Sequence, residues 1–320
     1  MAVSRKQPER AVALAAAAAA LALFAAGASA QSGQDACNRQ CLTQFVDKYF
    51  AALAANDAGS VPLARDAKIT QNGKAMKLEQ TFWQSAEQPV YRWDIVNERR
   101  GDTGTEAVVA NSDGSKTMFV LRLKVADGQI AEVETIKADK GDADRLWDPD
   151  NLTAVSPALQ LTIRAPEQDS YYGLIATAES YWRAFETNGT KDYHRASLLP
   201  DARRFENGLQ TTGMVRDGRF VSAAAGFDDG RFIGRNLWDR RYPVVDTERG
   251  IVLSILRFGL KAGATSQSTA TSNDRLVAEF FAVKSGMIQE VHAVLFNLPD
   301  SEPTGWPPDY GPPRGGWPQQ

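Results

Sequence analysis

The sequence has 320 residues and a formal net charge of −3, with 36 Lys and Arg against 39 Asp and Glu. A mildly acidic chain has no electrostatic footprint for nucleic acid or anionic lipid, so we expect neither as a partner. At ~100–200 residues per domain, this length predicts two domains.

The first thirty residues have the pattern of a secretory signal peptide. Three basic residues precede an apolar run over 11–26, and Ala28-Ser29-Ala30 supplies the small residues of a cleavage site. We predict cleavage after Ala30 and a periplasmic or secreted protein with no membrane segment. Its remaining 33 Lys and Arg against 38 Asp and Glu give a formal charge of −5. An uncleaved anchor is the alternative, although a membrane span needs ~20 apolar residues.

The sequence has two cysteines, Cys37 and Cys41, at the start of a predicted helix. Cα atoms at i and i+4 of a helix lie roughly 6 Å apart, which a disulfide can bridge, and export favours oxidation. We therefore predict a local disulfide, with a redox role as the alternative. Two cysteines without nearby histidines cannot complete a zinc site, so no metal is predicted.

Two stretches of the chain repeat the same order of elements. The first domain is predicted at 36–139, where apolar residues from Leu42 to Leu53 recur at helical spacing. Four strand-like runs follow it at 90–97, 106–110, 117–125 and 130–136. A Pro-containing linker at 140–169 leads to the second domain at 170–298. The Pro, Gly and Trp-rich stretch 299–320 is predicted as a flexible tail that could dock on a protein partner.

The repeat can be followed residue by residue. Its matched segments are ITQNG with RFENG, VNERRG with VDTERG, and FVLRLKVADGQIAEVE with VAEFFAVKSGMIQEVH. Together with CNRQCLTQFVDKYFAAL and DRRYPVVDTERGIV, these motifs resemble an uncharacterised SnoaL-like family of exported proteins, of the DUF8021 type. The resemblance covers most of 36–298. It implies an α+β fold of two tandem NTF2-like cone domains, each with helices packed on a curved antiparallel sheet. That fold hosts isomerases, dehydratases, cyclases, hydrolases and binding modules, so it is only a prior for function.

Comparison of the copies selects the candidate catalytic residues Glu279, His292 and Glu206. Read with period two, Glu279 lies among large apolar residues of one strand, and His292 lies in similar company on the next. Copy one has Leu121, Glu134 and Gln71 at the three positions. A buried ionisable group is costly unless paired, so the second domain is expected to carry any chemistry. The structural alternatives are a salt bridge from Glu279 to Arg240, Arg241 or Arg257, and a core histidine bonded to Glu290 or backbone.

Four further residues are candidates for substrate binding. Arg241, which is matched by Arg92, and its neighbour Arg240 could each hold an anionic group of a substrate. The alternatives are that both arginines are ion-pair partners or lie at a solvated strand end. Tyr181 matches Tyr49 and lies on the helix that packs against the sheet, where core packing is the alternative. Asn207 is followed by a glycine, and copy one has the same Asn-Gly pair, which favours a turn.

Several mechanisms are excluded by missing motifs. The sequence contains no G-x-S-x-G, no P-loop, no G-x-G-x-x-G and no H-E-x-x-H. We therefore expect a small organic molecule as ligand, no cofactor, and acid/base chemistry of the isomerase, lyase, hydratase or hydrolase type. Glu279 and His292 would be the proton-transfer pair, Arg241 the anchor and Glu206 a supporting group. The alternative is a non-catalytic periplasmic binding or interaction module.

Overall fold

The computed structural model describes Met1 and residues 37–261, 274–299, 302 and 304–307. The rest of the predicted signal peptide and Trp317 lie outside the described residues. No helix in the described ranges is long and apolar enough to cross a membrane.

The first domain begins with helix α1, Arg39–Ala54, and continues into one six-stranded sheet. Its strands are β1 Leu63–Gln71, β2 Lys74–Ala75, β3 Ala86–Asn97, β4 Asp102–Asn111, β5 Lys116–Ala126 and β6 Gln129–Ala138. Two 3-10 turns, Leu78–Gln80 and Phe82–Gln84, precede β3. The strand order is β2-β1-β6-β5-β4-β3.

The second domain repeats this plan after the connecting segment, which includes the short helix α2, Pro157–Gln160. Its long helix is α3, Tyr171–Thr187, and a short helix α4, Ala225–Asp228, follows later. Its strands are β7 Leu198–Glu206, β8 Leu209–Thr212, β9 Met214–Arg216, β10 Arg219–Val221, β11 Arg235–Asp246, β12 Ile251–Leu260, β13 Asp274–Lys284 and β14 Met287–Leu298. The six-stranded sheet has the order β11-β12-β13-β14-β7-β8, and β9 and β10 form a separate hairpin.

The predicted α+β fold of two tandem domains is confirmed, with one correction to the sheets. Each sheet is mixed, because β1 pairs parallel with β6 and β7 pairs parallel with β14. The strand-like runs predicted for the first copy begin only at residue 90, so β1 and its counterpart β7 are not among them. Both strands are half-exposed along much of their length and carry charged residues, so neither shows the alternation of apolar residues that identifies a strand.

Helix α1 forms as its sequence predicts. Asn38 caps it by accepting a hydrogen bond from the Cys41 backbone N–H at 3.0 Å. Its apolar face is buried against the concave side of the first sheet. The predicted disulfide joins Cys37 to Cys41, with Cα atoms 5.3 Å apart, and fixes the first turn of this helix.

The outer faces of the two sheets pack on each other and form a shared apolar core. Ile95, Val120 and Ile136 of the first sheet belong to the same buried cluster as Leu253 and Phe280 of the second. At Gly104 the sheets approach closely, since a Cβ there would lie 3.3 Å from both Leu253 and Phe280. Burial of this kind contributes ~25 cal/mol per Å² of apolar surface, so the two domains stabilise each other.

Polar contacts across this interface repeat at corresponding positions of the two copies. Arg39 at the start of α1 binds Asp246 of β11, with Nη2–Oδ1 at 2.7 Å. The corresponding contact joins Tyr171 at the start of α3 to Asn97 of β3, with Nδ2 donating to the hydroxyl at 3.3 Å. The domains are therefore related by an approximate twofold axis, as in a dimer built within one chain.

The connecting segment and part of the tail lie on these domains. Leu152, Leu159 and Ile163 of the connection are buried. In the tail, the ring of Trp306 lies over the Arg122 guanidinium at 4.6 Å and donates to Thr70 Oγ1 at 2.9 Å. Trp306 therefore docks on its own chain.

Candidate functional site

The concave face of the second sheet, closed by α3, forms the interior of the second cone. Ser170 caps α3 by accepting from the Gly173 backbone N–H at 3.0 Å. The helix then buries Tyr181, Trp182 and Phe185 against Phe281 of β13. Most of this interior is apolar and aromatic, which makes its few polar groups conspicuous.

Glu279 of β13 is the central polar group of this interior and is 4% exposed. It faces inward with Phe281 because residues two apart on a strand share a face. Burial raises the pKa of Glu279 to about 8, and the Glu206 charge acts in the same direction. The Arg204 charge and a hydrogen bond from the Tyr181 hydroxyl oppose this rise. Glu279 therefore keeps its proton near neutral pH.

Three neighbours complete the group around Glu279. Arg204 of β7 is buried and donates from Nη1 to the Tyr181 hydroxyl at 3.2 Å and from Nε to Thr211 Oγ1 at 3.1 Å. Glu206, partly exposed, lies 3.8 Å from the Arg204 guanidinium. Burial raises the pKa of Tyr181 well above its usual value. The second cone thus holds a neutral acid, a phenol and a guanidinium; with Glu206, these form the polar group of the second cone.

In the described residues of the first cone, an apolar residue takes the place of Glu279. Leu121 occupies the position that corresponds to Glu279. It pairs with Thr105 and Thr135 on the neighbouring strands, as Glu279 pairs with Ser254 and Ala293. Tyr49, the counterpart of Tyr181, accepts a hydrogen bond from Trp83 Nε1 at 2.9 Å. The fold is therefore satisfied by an apolar residue at this position, and the acid in the second cone is not required for it.

Access to the polar group of the second cone is restricted on the side of β7. A crevice bordered by Tyr181, Arg204, Thr212 and Ala223 is too narrow for a water molecule. Phe227 and Phe232, in the segment after β10, pack on Phe185 with ring centroids 4.7 and 4.5 Å away. A ligand could reach Glu279 along this side only if that segment moved.

His292 does not lie in the second cone, contrary to the expectation that it pairs with Glu279. It is opposite Phe280 in the β13–β14 register, while Glu279 is opposite Ala293, so the two side chains point to opposite faces of the sheet. His292 instead sits between the domains. Its Nδ1 lies 2.9 Å from Glu106 Oε2 of the first domain, and its Nε2 lies 2.9 Å from Glu290 Oε1.

This position explains the protonation of His292. Burial alone would lower its pKa, but Glu106 and Glu290 raise the pKa of the imidazole to about 9. The charged histidine in turn helps to lower the pKa of Glu290, against the effect of burial. His292 is a cation that bridges two buried carboxylates, and both ring nitrogens are engaged. The structural alternative given above, a core histidine bonded to Glu290, is the arrangement observed.

Arg241 and Arg240 are also placed away from Glu279. Arg241 is fully buried between the domains and binds Glu134 of the first sheet through both Nη atoms, one at 2.9 Å. Burial would raise the pKa of Glu134, but Arg241 and Arg122 lower it. Arg240 lies 3.0 Å from Glu179 and 3.4 Å from Glu186 on α3. Both arginines are ion-pair partners within the chain.

The register also corrects the match between Arg241 and Arg92. Arg241 pairs with Ile255, whose counterpart in copy one is Glu106, and Glu106 pairs with Trp93. Arg241 therefore corresponds to Trp93. A bulge on each side of Arg241 in the β11–β12 register shifts the alignment by one residue.

Asn207 and its counterpart Asn72 each bind the backbone of a neighbouring strand through the side-chain amide. The side-chain amide of Asn207 donates to the Leu295 carbonyl at 3.0 Å and accepts from the Leu295 N–H at 2.8 Å. Asn72 makes the same pair of bonds with Lys137 in the first domain. Both residues have positive φ, which asparagine tolerates. The amide of Asn207 is thus engaged and fully buried.

Arg204 is the member of the site that the sequence analysis missed. It follows Arg203 in RRFENG, and the matched segment ITQNG of copy one places Ile69 at its position. A comparison of the two copies at every position, including this one, would have found a buried cation opposite an apolar residue. Among the described residues, no cluster of three or more His, Cys, Asp or Glu could hold a metal ion.

A family model and several solved structures are similar to parts of this chain. Residues 167–295 match the model of a domain of unknown function, DUF8021. No curated protein matches the chain. Three similar solved structures are a protein named as a polyketide cyclase from Xanthomonas campestris pv. campestris, an NTF-2 like protein of unknown function from Burkholderia xenovorans LB400, and a protein named as a ketosteroid isomerase from Kribbella flavida DSM 17836.

These three likenesses are distant. The identities are 22%, 16% and 16%, covering 31%, 31% and 39% of this chain and 90%, 83% and 90% of the other chains, with TM-scores of 0.26, 0.26 and 0.23. Likenesses at this level carry no argument about activity. With a DUF8021 match in its second domain, the chain resembles the uncharacterised SnoaL-like family that its motifs predicted.

Proposed function

We propose that the second domain binds a small organic molecule in its cone and exchanges a proton with it through Glu279, without a cofactor. The observation that carries this proposal is the replacement of an apolar residue by a buried acid. Leu121 serves the same position in the first cone, whereas Glu279 remains protonated near neutral pH. Acid/base groups work best when their pKa lies near the working pH.

The neighbours of Glu279 support proton transfer to a carbonyl-like substrate. Glu279 would donate its proton, or return it after ionising, as an isomerase, lyase or hydratase requires. The Tyr181 hydroxyl and the Arg204 guanidinium would stabilise the negative charge that develops on a substrate oxygen. Glu206, 3.8 Å from Arg204, would hold that guanidinium in place. His292, Arg240, Arg241 and Asn207 have no part in this proposal, because their partners lie elsewhere in the chain.

The proposal is tested by a thermal-shift screen of small carbonyl compounds and organic acids on the protein and on Glu279→Gln. A compound that binds only the folded state raises its apparent stability, by ~2.7 kcal/mol at a hundredfold excess over the dissociation constant. We expect at least one compound to stabilise the unaltered protein and to be converted by it, with conversion lost in Glu279→Gln. The matched control is Glu87→Gln, at an exposed glutamate of β3, which should retain conversion.

A non-catalytic binding or interaction module is the second candidate, and the burial of Glu279, which is 4% exposed, favours it. Under that function, a compound would stabilise the protein and Glu279→Gln alike, and neither would convert it. That result would contradict the proton-transfer role of Glu279.

We further propose that the protein is exported and acts in the periplasm or outside the cell. The signal pattern before Gln31 supports this. N-terminal sequencing of protein isolated from the periplasm or medium should begin at Gln31, and retention of the first thirty residues in the cytoplasm would contradict it.

A further inference from the structure

An open cleft in the first domain lies outside the site proposed above. It has a volume of about 680 Å³ and lies beside the turn between β4 and β5. The 3-10 turns before β3, the ends of β1 and β6, and residues 147–150 of the connecting segment form its other walls. Ligand sites typically enclose ~300–1,000 Å³, so this cleft has room for a small ligand.

The charges on the walls of the cleft cancel. Three lysines, Lys116, Lys137 and Lys140, face three aspartates, Asp113, Asp139 and Asp150. Two ion pairs join them, Lys116 with Asp150 and Lys137 with Asp139. A charge-balanced wall attracts neither an anion nor a cation strongly, whereas its many donors and acceptors suit a neutral polar ligand.

Asn111, which lines the cleft and is 7% exposed, supplies an independent indication of a ligand. Its Nδ2 donates to Ser115 Oγ at 2.9 Å and to Thr117 Oγ1 at 3.1 Å. Its Oδ1 is buried and has no hydrogen-bond partner among the described residues. An unsatisfied buried acceptor costs about 1–3 kcal/mol. If the amide were reversed, an N–H would be the unsatisfied group, and a ligand hydroxyl can serve either atom.

Aromatic side chains form the apolar part of the wall. Trp147, half-buried, and Phe82 both line the cleft. A ring beside hydrogen-bonding groups matches a ligand that has an apolar C–H face and hydroxyls at its edge. The wall is too polar for a purely apolar ligand, and its balanced charge disfavours a nucleotide or an organic acid.

We propose that this cleft binds a neutral carbohydrate, with the Asn111 amide turning toward the cleft to accept a hydrogen bond from a ring hydroxyl and Trp147 packing against the sugar face. Asp150 and Lys116 exchange part of their ion pair for hydrogen bonds to further hydroxyls. The first domain then has a binding role of its own, separate from proton transfer in the second cone.

The test is a calorimetric titration of the full-length protein with neutral mono- and disaccharides: glucose, galactose, N-acetylglucosamine, maltose, cellobiose and chitobiose. At least one should bind with a dissociation constant of about 1 mM or tighter. Glucuronate and glucose 6-phosphate serve as charged probes and should bind more weakly than the best neutral sugar. No neutral sugar binding at about 10 mM, or tighter binding of a charged probe, overturns the proposal.

Variants locate the binding. Trp147→Ala and Asn111→Leu should each weaken binding of the best sugar about tenfold or more. The matched control is Lys74→Ala, a lysine paired with Glu302 outside the cleft. Circular dichroism verifies that each variant folds, and unchanged binding by folded Trp147→Ala places the sugar elsewhere and overturns the proposal.

Discussion

Glu279 and His292 are both buried ionisable residues in adjacent strands, and the structure gives them different partners. His292 is compensated by two carboxylates on either side of its ring. Glu279 instead keeps its proton, because burial and the Glu206 charge raise its pKa by more than Arg204 and Tyr181 lower it. Glu279, which burial keeps neutral, can exchange its proton with a ligand. His292 cannot lose its proton without leaving the buried carboxylates of Glu106 and Glu290 unpaired.

The stability of the protein should depend on the protonation of Glu279. Its pKa in the folded state is about 8 against about 4.5 when unfolded. The stabilisation linked to this proton is therefore complete below about pH 4.5 and is lost as pH rises through about 8. Glu279→Gln cannot lose a proton, so its stability relative to the unaltered protein should grow over this range. Denaturant unfolding at about pH 5 and about pH 9 measures this difference in stability, with Glu87→Gln as control. If the free energy of unfolding of Glu279→Gln changed with pH in parallel with that of the unaltered protein, the raised pKa of Glu279 would be contradicted.

His292 should show the same sign for a different reason. Its pKa rises from 6.5 to about 9 on folding, so its stabilisation is complete below about pH 6.5 and is lost as pH rises through about 9. His292→Leu leaves Glu106 and Glu290 buried without the cation between them, and we expect a loss of about 3–5 kcal/mol at neutral pH. Adding Glu106→Gln should recover part of it. A loss below about 1 kcal/mol would show that His292 is not the bridging cation.

At the scale of elements, the β13–β14 hairpin shows that two-residue periodicity predicts the faces of one strand but not how two strands align. The sequence correctly placed Glu279 among apolar residues on one face of β13. It could not relate that face to β14, because the relation depends on the cross-strand register. A bulge also lies in β14, between Ile288 and Glu290, so Ile288 turns into the cone while Glu290 and His292 turn toward the first domain. One extra residue reverses the face of a strand.

The disulfide at the start of α1 should contribute modestly to stability. It closes a loop of only five residues, for which the chain-entropy relation gives about 2 kcal/mol. Cys37→Ser combined with Cys41→Ser should lower the free energy of unfolding by about this amount, as measured by denaturant unfolding. Reduction of the unaltered protein should reproduce the loss and should have no effect on the double variant. A loss well above about 4 kcal/mol would mean that the disulfide stabilises more of the domain than the first turn of α1.

At the scale of the whole molecule, the two copies form one folded body through their outer sheet faces. Single ionisable residues of one copy meet partners in the other: His292 meets Glu106, and Arg241 meets Glu134. The sequence revealed the repeat, the α+β class and the chemical contrast between the cones. It did not reveal the shared interface, because contacts between copies leave no periodic pattern in either one. Residues in that interface therefore looked like site residues.

The two domains should unfold together, because neither sheet is covered on its outer face without the other. We expect a single calorimetric transition for the unaltered protein. Gly104→Leu places a side chain where Ile95, Leu253 and Phe280 already lie within 3.3 Å of a Cβ, so it should lower the Tm and split the transition. Ala75→Leu, at an exposed residue of β2, should do neither. Two separate transitions in the unaltered protein would contradict this mutual stabilisation.

The most direct measurement is the pKa of Glu279 itself. In protein labelled with 13C at the glutamate carboxyl carbons, Glu279 is assigned by the signal that disappears in Glu279→Gln. The account predicts that this signal titrates with a pKa of about 8 while exposed glutamates titrate near 4.3. A Glu279 signal that titrates with the exposed glutamates would mean that the second cone holds an ordinary carboxylate, and the proposed proton transfer would be wrong.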